Sequence, residues 1–314
     1  MDETRTNRNR KKPKRRWLKI TLAVAAVVLI LIAGAGAYAY SIYGNARDTV
    51  NDEMHEPVDS IDRDMTKKKM EASEPLNILL LGVDEREHDS GRSDALMVLS
   101  LNPEKDSMQL VSIPRDTRTT IVGKGFEDKI NHAYAFGGSD MSVATVENFL
   151  DIELDHYVRM NMEGLSELVD KLGTITVDNE IAWQNGEYDF NTGPVEMDGN
   201  KTMAYVRMRK QDPDGDFGRT ERQRKVIQGI IEQGASVGSV GKINDYIDVL
   251  GNNMATNMDF DDMKSLLNGY RNTRQNIVSY QMKGSGTNID GIYYLMVPDE
   301  EIAKVHGMIK KERS

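Results

Sequence analysis

The sequence predicts a layered α/β or α+β domain held outside a membrane by one transmembrane helix. Three observations carry this: an uncharged run behind a basic N-terminus, short continuous apolar runs from residue 76 onward, and helical apolar spacing between those runs. A chain of 314 residues has room for one large or two ordinary domains once a targeting segment is set aside.

From Ile20 to Tyr40 the run ITLAVAAVVLILIAGAGAYAY carries no charge. At about 1.5 Å per residue such a helix extends roughly 32 Å, enough to cross a hydrocarbon core. Arg5, Arg8, Arg10, Lys11, Lys12, Lys14, Arg15, Arg16 and Lys19 precede it, and Ser41 to Ala46 contain no basic residue. The positive-inside rule then keeps residues 1–19 in the cytoplasm and exports everything after Tyr43, a single-pass type II arrangement in the cell membrane. A cleaved signal peptide is the rival reading, because small residues near Ala33 to Ala39 resemble a cleavage site; Tyr38, Tyr40 and Tyr43 form an aromatic belt that favours a retained anchor over 20–43.

The whole chain has a net charge of −10, and its tail holds nine basic and two acidic residues, so the exported part carries about −17. That balance is the opposite of a nucleic-acid binder's. With no cysteine, the exported part has neither disulfides nor thiolate metal ligands and must bury an ordinary core.

Residues 44–75 are charged and free of Phe, Trp and Tyr, with Val50, Met54, Ile61 and Met65 spaced roughly like one helix face and Pro57 interrupting it. They read as a partly helical stalk. The folded domain, 76–312, opens with LNILLLGVD, a buried-strand pattern. Further strands are expected at 95–102, 108–113, 155–160, 173–178, 276–282 and 291–297. Val143, Val146, Phe149 and Leu150 share one helix face, Leu165, Leu168, Val169 and Leu172 another, and Pro298 opens a C-terminal helix.

Candidate chemistry gathers at strand ends. Asp84 follows the first strand and Asp94 opens the second, so the two carboxylates could share a hard cation such as Mg²⁺; a turn residue and a strand cap are the plainer alternative. Pro114 ends the third strand and leaves Arg115 at its terminus, near Asp84, with a salt bridge to Asp116 as the alternative. If the chain is extended after Tyr205, Arg207 and Arg209 point to one side and Val206 and Met208 to the other. From Arg219 the sequence reads as a helix whose one face carries Arg219, Arg222, Gln223, Val226 and Ile230, while Arg224 turns to solvent. A cationic helix start running into an apolar stripe suits an amphiphile with a phosphate head; a core stripe with a frayed first turn has the same spacing.

Other patterns carry less. Gly234 to Gly238 matches G-x-S-x-G but follows a helix rather than a strand, which argues against a nucleophile elbow. His55, His88, His132, His156 and His306 show no HExxH or other close metal spacing. Asn131 to Gly138 reads as a packed helix closed by glycine.

The set LGVDER, GRSD, LVSIPRDT, DKINHAYAFGG, TVENFLD, YVRMRK and DFGRTERQRKVIQGII, with the basic tail and single span, resembles the LytR-CpsA-Psr family. The resemblance implies one extracytoplasmic domain with a central mixed sheet flanked by helices. It further implies a transferase that moves wall teichoic acid, or a similar glycopolymer, from an undecaprenyl-pyrophosphate-linked precursor to peptidoglycan. On this resemblance Asp84 and Asp94 would hold Mg²⁺, with Mn²⁺ as an alternative. Arg92, Arg115, Arg207, Arg209, Arg219, Arg222 and Gln223 would grip pyrophosphate oxygens, and Asp84, Asp94, Arg115 and Arg219 would carry the chemistry. A polyprenyl-pyrophosphate hydrolase and a non-catalytic lipid- or wall-binding protein are the competing functions.

Overall fold

The computed structural model describes residues 40–41, 43–84, 91–236, 246, 250–251 and 253–313. The tail at 1–19, nearly all of the expected span at 20–43, and His88 lie outside the described residues. Among those described, no helix is long and apolar enough to cross a membrane. The chain divides into two units, Met1–Asn45 and Ala46–Ser314.

The second unit is built on a six-stranded mixed sheet. Its strands are β1 (Leu76–Val83), β2 (Ser93–Asn102), β3 (Ser107–Ile113), β4 (His156–Asn161), β5 (Met254–Thr256) and β6 (Asn276–Gln281), in the order β5-β4-β1-β2-β3-β6. β4 runs parallel to β1 and β6 parallel to β3; the other neighbours are antiparallel. Five strands coincide with expected runs. The expected strands at 173–178 and 291–297 also form, but in separate two-stranded sheets, as Ile175–Asn179 with Gly193–Met197 and as Ser285–Ile289 with Ile292–Met296. Short β5 carries too few residues to show a period.

Strand alternation gives the sheet two different faces. Leu79, Leu81 and Val83 of β1, with Leu96 and Val98 of β2, pack against helices α2 (His132–Leu150) and α7 (Asp299–Arg313) through Val143, Val146, Val305 and Ile309. The Val143–Leu150 stripe is therefore core, as its spacing predicts. On the other face Ile78, Leu80, Leu99 and Leu101 meet Ile231 of helix α5 (Asp216–Ser236) and Leu266 of helix α6 (Phe260–Gly269). A further core joins helices α3 (Met162–Leu172), α4 (Gly199–Arg207) and α5 to the sheet of Ile175–Asn179 through Val169, Ile175, Tyr205 and Val226.

The stretch read as a stalk is instead part of the folded unit. Val50, Met54, Val58, Ile61 and Met70 are buried; Met65 alone of the expected stripe is largely exposed. Val50 and Met54 close on Met254 of β5, while Val58 and Ile61 enter the core beside α2. Apart from Lys69, most charged residues between them face outward, which is why composition alone suggests a solvated stem. Helix α1 (Arg63–Glu71) is capped by Asp62, whose side chain accepts from the Met65 N–H, and Lys69 reaches the buried Asp155 at 2.5 Å.

A candidate phosphate site above an apolar cavity

The register of β2 with β3 builds the centre of the site. Leu96 lies opposite Ile113, so two residues further out Asp94 faces Arg115. Arg115 Nη1 donates to Asp94 Oδ1 at 2.6 Å. On the other side, Gly82 pairs with Ala95 but Val83 pairs with Ser93, which leaves Asp94 as the extra residue of a bulge. Bulges re-aim a side chain at a sheet edge, and here the bulge turns Asp94 toward Arg115. The Asp84 N–H donates to the Arg92 carbonyl at 3.3 Å, closing the same strand ends, and Arg92 itself is exposed.

Helix α5 brings a second guanidinium to this point. Asp216, in its first turn, stands 2.8 Å from Arg219 Nη2 and 3.4 Å from Arg115 Nη2. These contacts are ionic but poorly aligned: Arg115 Nε, Arg219 Nε, Arg219 Nη2 and Asp216 Oδ1 are all buried without a hydrogen-bond partner. Burial alone would lower the pKa of Arg115, yet the bond to Asp94 and the charges of Asp216, Asp94 and Asp116 outweigh it and hold the value raised. Arg219 is lowered, first by burial, with Asp216 opposing and Arg115 and Arg209 adding to the effect. Two partly buried guanidiniums with unused donors, sharing the Asp216 carboxylate, are an arrangement that tetrahedral anions complete.

Below them lies an open apolar cavity of about 120 Å³. Leu80, Gly82, Ala95 and Met97 form its floor, and Leu165 of α3 with Val226 of α5 form its walls. Gly82 and Ala95 face each other so closely that a Cβ on Gly82 would meet that of Ala95 at 3.0 Å. Gln223, buried with its Oε1 unpartnered, belongs to the cavity wall one turn beyond Arg219. The helix face foreseen for Arg219, Gln223 and Val226 thus runs from the charged cluster into apolar space.

The family model for the LytR_cpsA_psr family matches residues 39–311. The chain belongs to this family. A polyisoprenyl-teichoic acid–peptidoglycan teichoic acid transferase TagU of Halalkalibacterium halodurans is 46% identical over 274 residues, covering 86% of this chain and 90% of that protein. TagU of Bacillus subtilis strain 168 is 44% identical over 258 residues, covering 82% and 84%. The crystal structure of B. subtilis TagU superposes with a TM-score of 0.65 at 42% identity, over 77% of this chain and 97% of that one. A structure of TagT bound to LIIa-WTA does so with a TM-score of 0.66 at 28% identity, over 76% and 91%.

Within this LytR_cpsA_psr domain several arginines differ from expectation. Tyr205 to Arg207 are helical, the last turn of α4, and only Met208 beyond them is extended. The Asp198 side chain caps α4 through the Lys201 N–H, and burial of Tyr205 against Trp183 and Phe190 holds its end in place. The two-sided pattern nevertheless survives, with Val206 and Met208 buried and Arg207 and Arg209 exposed. Arg222 does not join the cluster. Its Nη2 donates to the Met208 carbonyl at 2.5 Å, its Nε to the Tyr205 carbonyl at 3.2 Å, and its Nη1 pairs with Asp212. Arg224 is not solvated either: it is 7% exposed and donates to Ser112 Oγ at 3.2 Å and Gln281 Oε1 at 3.0 Å, tying α5 to the ends of β3 and β6. α5 is enclosed on several sides, so a helical wheel cannot say which face looks outward.

Sequence reasoning missed Lys129, whose Nζ reaches Asp116 Oδ1 at 2.7 Å beside Arg115. It sits in the three-residue strand Glu127–Lys129, paired with Arg118–Thr120, where a run of three charged residues was the only available signal. The glycines after Phe136 do close a helical turn, but the chain resumes helix immediately, so α2 is kinked at Gly137 and Gly138.

Proposed function

We propose that this chain is a transferase that attaches wall teichoic acid, or a similar anionic glycopolymer, to peptidoglycan from an undecaprenyl-pyrophosphate-linked precursor. The observation that carries this reading is the junction of the apolar cavity with partly buried, incompletely bonded arginines: Gln223 lies in the cavity wall and Arg219 one turn before it. A polyprenyl chain needs the first and a pyrophosphate the second. The relatives' names give the same reaction.

Arg115 and Arg219 donate to pyrophosphate oxygens and neutralise the charge that develops as the bond between the two phosphates lengthens. Arg209 adds positive potential, as its effect on Arg219 indicates. A peptidoglycan hydroxyl oxygen attacks the polymer-side phosphorus, a new P–O ester forms, the phosphoanhydride bond breaks, the lipid phosphate leaves, and the hydroxyl proton passes to that phosphate or to solvent. Holding both partners in line supplies much of the rate.

Asp84 and Asp94 suit Mg²⁺ by donor chemistry: both are hard carboxylates at adjoining strand ends, and the Arg115 bond uses one of the two Asp94 oxygens. When bound, the ion supplies charge neutralisation at phosphate oxygens. The run Ile20 to Tyr43 anchors the protein in the cell membrane, with the domain outside and the basic tail in the cytoplasm.

Arg115→Ala and Arg219→Ala should each lower transfer of lipid-linked polymer to peptidoglycan by about 10²–10³-fold. Full transfer by either variant would overturn the reading. Release of free polymer without acceptor attachment would make the enzyme a hydrolase.

A further inference from the structure

Beside the arginine cluster stands a second constellation that the transfer step leaves unused. Asp128 divides its carboxylate: Oδ2 accepts from Nδ1 of His132 at 2.8 Å, and Oδ1 accepts from the Lys129 N–H at 2.8 Å and the Tyr294 hydroxyl at 3.3 Å. Burial would raise the Asp128 pKa, but these bonds outweigh it and keep the carboxyl ionised. Phe136, one turn beyond His132, meets the imidazole edge-on at 6.1 Å, and Phe126 meets Phe136 edge-on at 5.8 Å. Phe126 and Phe136 are 47% and 40% exposed, and the Lys124 ammonium stands 5.5 Å from the Phe136 ring centre.

Two further features indicate a built site. The backbone breaks directly after Phe136, where Gly138 adopts φ 63°, ψ −149°, a conformation that side chains disfavour, and so His132 and Phe136 share one isolated turn. That turn is tied to the phosphate site: the Asn131 N–H donates to the Arg115 carbonyl at 3.3 Å, and Lys129 bonds Asp116.

Exposed aromatic rings beside an ionised carboxylate, an imidazole and an ammonium match the chemistry of a sugar. C–H faces pack on the rings, hydroxyls donate to the carboxylate, and N-acetyl carbonyls accept from the ammonium. A phospholipid surface fits less well, because its phosphates would meet Asp128 and the half-exposed Glu127. We propose that Phe126, Phe136, His132 and Asp128 form a subsite for the acceptor, an N-acetylated glycan strand laid alongside Arg115. The subsite rests on the transfer reading above for its role, though not for its binding.

The test uses the full chain in detergent, a lipid-pyrophosphate-linked polymer as donor and a soluble N-acetylhexosamine oligomer of peptidoglycan as acceptor. Phe126→Ala and Phe136→Ala should each raise the acceptor KM about five- to tenfold, with donor KM and thermal midpoint unchanged. Phe136→Tyr keeps an aromatic face and should restore the wild-type value. Oligomer binding followed by calorimetry should weaken in parallel. Unchanged acceptor KM and unchanged oligomer binding in both alanine variants would overturn the subsite; so would loss of binding to phosphatidylglycerol vesicles in place of the glycan. A wild-type chain that binds the oligomer but transfers nothing upholds the subsite and overturns the transfer reading alone.

Discussion

Arg219 and Arg222 lie nearly one helical turn apart on α5 and meet opposite surroundings. Arg219 keeps unpartnered donors beside Asp216, whereas the side chains of Arg222 and Asp212 are only 5% and 4% exposed and answer each other. Arg222→Ala should therefore destabilise the fold by about 3–5 kcal/mol, because it strands a buried carboxylate and two carbonyls. Urea denaturation checks this; Arg219→Ala should leave the midpoint nearly unchanged while removing activity. His156 gives a second measurement. Burial pushes its pKa down to about 4 from 6.5, so the unfolded chain binds the proton more readily between those values. Stability from this group is complete above pH 6.5 and falls by about 3 kcal/mol as pH drops to 4, a slope that His156→Phe should remove in denaturant titrations at stepped pH. Arg115 and Asp94 could be placed at one sheet end from sequence, since strand ends are visible as Pro114 and the Gly91–Arg92 turn. Their bond could not, because it depends on a bulge that shifts register by one residue. Arg222 and Arg224 were misread for a related reason: angular position on a helix names a direction, and only the packed neighbours say what lies there.

Among the elements, the facing strands β1 and β2 decide how much space exists under the phosphate site. Gly82 and Ala95 are the small pair at that point, and Ala95→Phe should fill the cavity's upper end. We expect at least a tenfold rise in donor KM, with co-purified polyprenyl lipid lost from mass spectra and stability changed by about 1–3 kcal/mol or less. The strands of this sheet were legible because each is a short apolar run bounded by charged or turn residues. α4 was not, since Tyr205 to Lys210 alternates like a strand while Asp198, seven residues earlier, sets the helix with its side-chain cap. The apolar end of α5 was legible from spacing, but a core stripe with a frayed first turn shares that spacing, and only the cavity beside Gln223 and Val226 separates the two.

At the scale of the whole molecule, the buried residues between Ala46 and Glu71 predict where the domain can be cut. A chain beginning at Leu76 loses Val50, Met54, Val58, Ile61 and Met70 from its cores and should be insoluble or proteolysed, whereas one beginning at Ala46 should melt cooperatively. Circular dichroism melts and limited proteolysis of the two distinguish them, and equal melting would refute the assignment of this segment to the fold. The charge distribution has a further consequence. Asp216 stands between Arg115 and Arg219, so the guanidinium pair carries its own tethered anion at all times. Substrate phosphate then enters by exchange, displacing a partner that cannot diffuse away and that reclaims its place when the product departs. Dissolved salt competes with such a tethered rival far less than with an open cationic surface, so affinity should decline gently with ionic strength, as suits an enzyme surrounded by polyanions.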